Sequence, residues 1–271
     1  MKGRFVLLAL VLAVVSAGCS GGSPPLPTLP VEPTPSLLLI GLSSSAVPVA
    51  TLVDAAYERA STNAGLSFVE GNETSLYADL DSGTLDAVLA HILPAGNDYW
   101  YNPVALDGLA IVLHPDNPVR ELTISQAQAL FSGDLDNWSG AGGPDLPVIP
   151  VGRERGAGAR HLLNERIMAE QRPAIDTLVQ PDNDTLLATV SGAPGAIGYT
   201  MIGSLDERVA AVAVDGVAPT PNNAGSQNYP LSAPLYFVSQ SEPQDELRAF
   251  LAWLQSPEGQ VILGEKFGRV R

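Results

Sequence analysis

Residues 37–90 read LLLIGLSSSAVPVATLVDAAYERASTNAGLSFVEGNETSLYADLDSGTLDAVLA, and their pattern decides the architecture. Leu37–Leu42 is an unbroken apolar run of strand length. Val47–Ala60 carries apolar residues at helical spacing, with Pro48 in the first turn, where a helix tolerates it. A strand over Leu66–Val69, a helix over Glu73–Asp81 and a strand over Leu85–Ala90 complete a βαβαβ unit, the signature of a mostly parallel sheet covered by helices. The alternation continues with strands over Gly108–Leu113, Pro147–Val151, Ala196–Tyr199, Val209–Val214 and Ala233–Val238. Helices are expected over Ile124–Phe131, Ala157–Met168, Asp182–Ser191, Gln244–Leu254 and Glu258–Lys266, while Gly216–Pro230 shows little periodicity. This order suits an α/β protein of two lobes, 37–107 with 230–271 and 108–229. The two crossovers fall near Leu106–Val112 and Tyr229–Val238. In open α/β sheets ligands bind beyond the carboxyl ends of the strands, so facing lobes place a site in the cleft, and hinge closure is the expected motion.

Upstream of this region the sequence has a different character. Lys2 and Arg4 precede an apolar stretch, Phe5–Val15, and the small residues Ser16, Ala17 and Gly18 lead into Cys19. The run is shorter than the roughly 20 residues of a spanning helix, so 1–18 reads as a signal peptide cleaved before Cys19. Cys19 is the sole cysteine, which excludes an intrachain disulfide and a cysteine metal cluster. Ser20–Ser36 contains six prolines and reads as a stiff tether. The net charge is −15, or −17 once Lys2 and Arg4 leave, which makes nucleic acid a poor partner. An anion bound by so acidic a chain must be held by a local device, such as helix N-termini and one or two arginines.

Three stretches offer such a device. Ser43, Ser44 and Ser45 stand between the first strand and its helix, where first-turn N–H groups lack internal partners and hydroxyls add donors; a serine there also serves as a plain cap. The turn Arg153-Glu154-Arg155-Gly156-Ala157-Gly158-Ala159 has an arginine able to grip two oxygens and glycines that let the backbone come close. It also reads as a tight strand-helix turn with solvated arginines. Asp86, at the start of a strand, accepts a proton-bearing oxyanion's hydrogen bond or caps a turn. Trp100, between Tyr99 and Tyr101, walls the cleft or packs at the hinge. His91, His114 and His161 match no catalytic or metal motif, and an enzyme is not expected.

Longer phrases carry a resemblance. Leu106-Asp107-Gly108-Leu109-Ala110-Ile111-Val112, His114-Pro115-Asp116-Asn117-Pro118-Val119, Leu130-Phe131-Ser132-Gly133 and Asn137-Trp138 resemble the phosphate-binding protein family of ABC importers. So do the turn from Arg153 to Ala159, Pro194–Tyr199, Asp215–Thr220, Tyr229–Ser232 and Ser256–Gln260, in family order along the folded region. The resemblance implies a two-lobed periplasmic-binding-protein-like fold of class II, no cofactor, and phosphate or a related oxyanion held without metal for delivery to an ABC permease. It places Ser43, Ser44 and Ser45 in the first hydroxyl-rich loop, Asp86 as the proton-accepting aspartate, and Arg153, Gly156 and Gly158 at the family's arginine and glycines. Where the family reads Gly-Ser-Gly-Thr this chain reads Gly156-Ala157-Gly158-Ala159, and a protonated His91 stands as a substitute donor. The small-residue junction at Cys19 resembles the bacterial lipobox, which implies a lipid-anchored protein outside the cytoplasm; a monomer is expected. A sensor or interaction protein with the same fold, binding a different ligand or none, is the other reading.

Overall fold

The computed structural model describes residues 36–61, 63–96 and 98–270. The expected signal peptide, Cys19 and nearly all of the tether lie outside the described residues. Ser36, expected to end the tether, opens the first strand.

The N-terminal unit has strand β1 (Ser36–Ser43), helix α1 (Val47–Ala60), β2 (Ala64–Gly71), α2 (Glu73–Asp81) and β3 (Ala87–Ala90), with β1 parallel to both β2 and β3. β3 is apolar throughout because both of its faces are covered. Ala87 and Leu89 enter the core with Ile40, Val53, Tyr57 and Phe250, while Val88 and Ala90 enter the one with Leu76 and Leu80. Asn72 starts α2 by accepting the N–H of Thr74 at 3.0 Å.

The chain then runs through β4 (Trp100–Leu113), β5 (Glu121–Leu122), α3 (Ile124–Ser132), β6 (Ile149–Arg153), α4 (Gly158–Leu163), β7 (Leu178–Gln180), α5 (Asn183–Gly192) and β8 (Ala196–Met201). It finishes with β9 (Ala210–Ala211), β10 (Ala213–Val214), α6 (Pro221–Gly225), β11 (Ser232–Ser239), α7 (Asp245–Gln255) and α8 (Pro257–Leu263). The main sheet has the order β2-β1-β3-β11-β4-β8-β6-β7, with β9 also paired to β4. Its flanking members run parallel within each lobe, and antiparallel β4 and β11 lie between them. β4 pairs with β11 from Trp100 to Gly108 and with β8 from Leu109 to Leu113. One strand thus changes partners between Gly108 and Leu109 and passes from lobe to lobe. The core beyond that point gathers Ile111, Phe131, Trp138, Met168 and Tyr199, and Trp138 Nε1 donates to the Gly195 carbonyl at 2.9 Å.

Three expectations need correction. The strand expected from Gly108 begins at Trp100; its first half was hidden by Pro103, which lacks a ladder donor, and the register shift between Leu235 and Tyr236 accommodates it. The helix expected to reach Met168 is α-helical only to Leu163 and continues as a π-helical turn, Asn164–Met168. The strand expected over Val209–Val214 is split between β9 on β4 and β10 on β5, with the fully buried Val212 between them.

Candidate functional site

Four chain segments end together. β1 delivers Ser43, the β2–α2 junction delivers Asn72 and Glu73, β3 runs out into His91, and β6 ends on Arg153 before the turn into α4. Ser43, Glu73, His91 and Arg153 are all buried, and all four interact around the Glu73 carboxyl.

Two of these side chains are locked from behind. His91 Nε2 lies 3.0 Å from Asp107 Oδ2, with both side chains fully buried. The other Asp107 oxygen accepts the backbone N–H of Gly108 at 2.8 Å and of Gly203 at 3.1 Å. An acceptor-only carboxylate at Nε2 holds the proton there and leaves Nδ1 for the site. Arg153 sets its Nε and one terminal nitrogen on Glu154 at 3.0 and 3.2 Å, and the same terminal nitrogen donates to the Pro181 carbonyl at 3.2 Å. Its other terminal nitrogen, Nη1, has no partner among the described residues.

Seven buried polar side-chain atoms lack a hydrogen bond among the described residues, and four of them are here: Ser43 Oγ, Glu73 Oε1, His91 Nδ1 and Arg153 Nη1. A buried polar atom left unpaired costs about 1–3 kcal/mol, so their concentration at one point marks a place built for a polar guest.

The lobes touch around this point. Asn72 Nδ2 donates to Glu154 Oε1 at 3.1 Å and to the Arg155 carbonyl at 3.2 Å, and Ser204 Oγ donates to the Ser45 carbonyl at 3.1 Å. Gly156 has φ +89, and a Cβ on it would stand 2.5 Å from Asn72 Oδ1; a Cβ on Gly158 would run into the Glu73 carboxyl. Both glycines therefore admit the first turn of α2 against the Arg153 turn.

The sequence candidates fare unequally. Ser43, His91, Arg153, Gly156 and Gly158 are brought together. Ser45 is buried and serves through its carbonyl, whereas Ser44 borders a separate surface cavity with Asp182, Arg208 and Lys266. Asp86 is a correction: it lies exposed at the opposite end of β3, level with Leu39, and its carboxylate accepts the Leu39 N–H at 2.8 Å. The carboxylate at the site is Glu73 instead. The Ala159 methyl belongs to the core of lobe 2 and Ala157 caps α4 without a side-chain bond, which leaves only their backbone N–H groups to face a ligand. Trp100 packs against the lobe 1 core, and Tyr99 stacks on Tyr77 at 5.4 Å between centroids. Glu73, Asn72 and Asp107 were missed by sequence reasoning. The signal for the first two was present, since Gly71-Asn72-Glu73-Thr74 is another strand-to-helix turn.

Burial pushes the Glu73 carboxyl from its ordinary 4.5 up to about 7, while His91, Ser43 and Arg153 draw it back. Ser43 is near enough to do so although its hydroxyl is not aligned for a full hydrogen bond. The unfolded chain releases this proton first, so the stabilising contribution is complete below about pH 4.5 and is lost as pH rises through about 7. Asp182 and Asp206, both lowered from 3.8, act below this window. Urea unfolding of the wild type is expected to show stability falling by about 2 kcal/mol between about pH 5.5 and 8, with most of that slope gone in Glu73→Gln. An unchanged slope in the variant would contradict this assignment.

The sequence model described as the PBP superfamily domain matches residues 30–258. The phosphate-binding protein PstS of Bacillus subtilis (strain 168) is 28% identical over 156 residues, 57% of this chain and 52% of that protein. PstS of Pseudomonas aeruginosa PAO1 is 32% identical over 185 residues, 59% of this chain and 57% of that protein. The chain thus spans about half the length of these curated relatives. A Clostridium perfringens structure, assigned as a phosphate ABC transporter substrate-binding protein and holding bound phosphate, superposes with a TM-score of 0.81 at 26% identity, covering 87% of this chain and 100% of that one. An ABC-type phosphate transport receptor from Vibrio cholerae gives 0.69 at 27% identity, covering 86% and 99%.

Proposed function

Because the chain belongs to the PBP superfamily, we propose that it is the extracytoplasmic binding component of an ABC importer, holding phosphate or a related oxyanion between its lobes. The observation that carries this reading is the gathering of buried, unpartnered polar atoms, the donors Ser43 Oγ and Arg153 Nη1 with His91 Nδ1, around the Glu73 carboxyl beside the glycine turn Gly156–Gly158. Polar groups fixed from behind and unpaired in front suit a multiply charged ligand with several acceptor oxygens. The names of the relatives supply phosphate as the first ligand to test. Lobes of 37–107 with 230–271 and of 108–229 fit the division of the cores, although Leu231 and Ala233 still pack into the second lobe. The partner is a membrane permease, and the role is capture and delivery rather than catalysis. Calorimetric titration with phosphate, sulfate, molybdate and tungstate tests the ligand; no heat with any of them would refute it.

The anchor is the other half of the proposal. Acylation of Cys19, with 1–18 removed and 19–35 as tether, would hold the protein on a bacterial membrane, since each buried methylene adds about 0.8 kcal/mol. Cys19→Ala is expected to move the protein from the membrane fraction to the soluble one. Unchanged fractionation together with an unacylated mature N-terminus would rule the anchor out.

The sensor reading keeps one observation in its favour. The family's Ser and Thr are Ala157 and Ala159 here, and an acid, Glu73, lies on the site, an arrangement that weakens capture.

A further inference from the structure

Glu73 is an acid without a structural task. The charge of Arg153 is already matched by the two bonds it donates to Glu154, and His91 is already paired with Asp107. The start of α2 is capped by Asn72. Yet the Glu73 carboxyl is buried, lies against the backbone of Gly158, and interacts with Ser43, His91 and Arg153 together. Those are the groups an oxyanion would use, and each presents an atom without a hydrogen-bond partner among the described residues, as does the Glu73 carboxyl through Oε1.

We propose that Glu73 is a built-in occupant of the oxyanion site: its carboxylate takes the place between Ser43, His91, Arg153 and the glycine turn, and a free oxyanion enters only when Glu73 is protonated or swings aside. This deepens the oxyanion reading and rests on it. Room to swing exists, because Glu73 borders a cavity of about 910 Å³ between α2 and the turn carrying Arg155 and Gly156. Two carboxyl-like anions sharing one set of donors repel each other, so protonating one admits the other. The groups facing Glu73 are Tyr77 from its own helix, His91 just beyond β3 and Arg153 from β6, with Asp81, Tyr99, Arg155, Arg160, His161 and Arg172 around the cavity. Asp107 and Glu154 stand behind His91 and Arg153. Each of these remains in a Glu73 variant, which isolates the contribution of this one acid.

The test titrates inorganic phosphate and sulfate into the wild type, Glu73→Gln and Glu73→Ser by calorimetry at about pH 5.5 and about pH 8, with folding of each checked by circular dichroism. Sulfate brings no titrating proton of its own in this range and separates the protein's proton from the ligand's. At about pH 8, where roughly a tenth of Glu73 is protonated, Glu73→Gln is expected to bind sulfate about tenfold tighter than the wild type. The gap is expected to close to within about threefold at about pH 5.5. Glu73→Ser, which also removes the bulk, tightens binding at both values. Folded variants that bind no tighter than a binding wild type overturn the proposal and make Glu73 a ligand residue or a bystander. No binding by any of the three chains at either pH defeats the oxyanion reading itself, and this inference with it.

Discussion

Replacing Arg153 with alanine is expected to weaken oxyanion binding by about 100-fold or more. The guanidinium is buried and preset: Glu154 and the Pro181 carbonyl hold two of its nitrogens, so Nη1 is presented without further loss of side-chain freedom. A hydrogen bond from a charged donor contributes about 1.5–3 kcal/mol, and loss of the attraction of a full positive charge brings the total to about 3 kcal/mol, two powers of ten in affinity. The measurement is calorimetric titration with phosphate in the wild type and again in the Glu73→Gln background, where the site is open to the ligand. Lysine at this position keeps the charge but not the planar fork, and should recover only part of the loss. Equal affinity in Arg153→Ala and its parent would move the site away from β6.

Asp107→Ala is expected to cost about 3–5 kcal/mol of folding stability, because it leaves the His91 ring and two buried backbone N–H groups without their acceptor. Asp107 sits next to the point where β4 changes partners, and it ties β3 of one lobe through His91 to Gly203 beyond β8 of the other. Thermal unfolding should drop by roughly 10 °C for a chain of this size. Asp107→Asn keeps an oxygen for the backbone donors and turns an amide toward His91, which forces the imidazole into its other tautomer. That variant should lose less stability and still alter ligand binding through Nδ1. A loss below about 1 kcal/mol in Asp107→Ala would remove Asp107 from this role.

The clearest sequence signals concerned elements whose stability is local. Leu37–Leu42 is apolar without interruption, Leu85–Ala90 is apolar apart from Asp86, and helices such as Val47–Ala60 and Glu73–Asp81 coincide with their apolar spacing. The strand from Trp100 was not legible, because Pro103 contradicts a strand unless its partner is known to shift register beside it. The division of Val209–Val214 between two neighbours was illegible for a similar reason, since a short apolar run does not state which strand pairs with which half.

The sequence by itself determined the alternation of strands and helices and the prominence of Ser43, Arg153 and the Gly156–Gly158 turn, since each follows from residue type and local spacing, whereas His91 stood out only through the family resemblance. Only the tertiary structure decided which carboxylate stands at the site. Asp86 and Glu73 both adjoin strands in lobe 1, but one precedes β3 and the other follows β2. Parallel strands carry their two ends to opposite edges of the sheet. That puts the Asp86 carboxylate on the Leu39 N–H, and Glu73 beneath Gly158 of the other lobe, 85 residues along the chain. The fate of Ala159 was decided in the same way, because the α4 backbone turns its methyl into the lobe 2 core. Contacts between segments so distant in sequence depend on how the lobes meet, and no local periodicity encodes that.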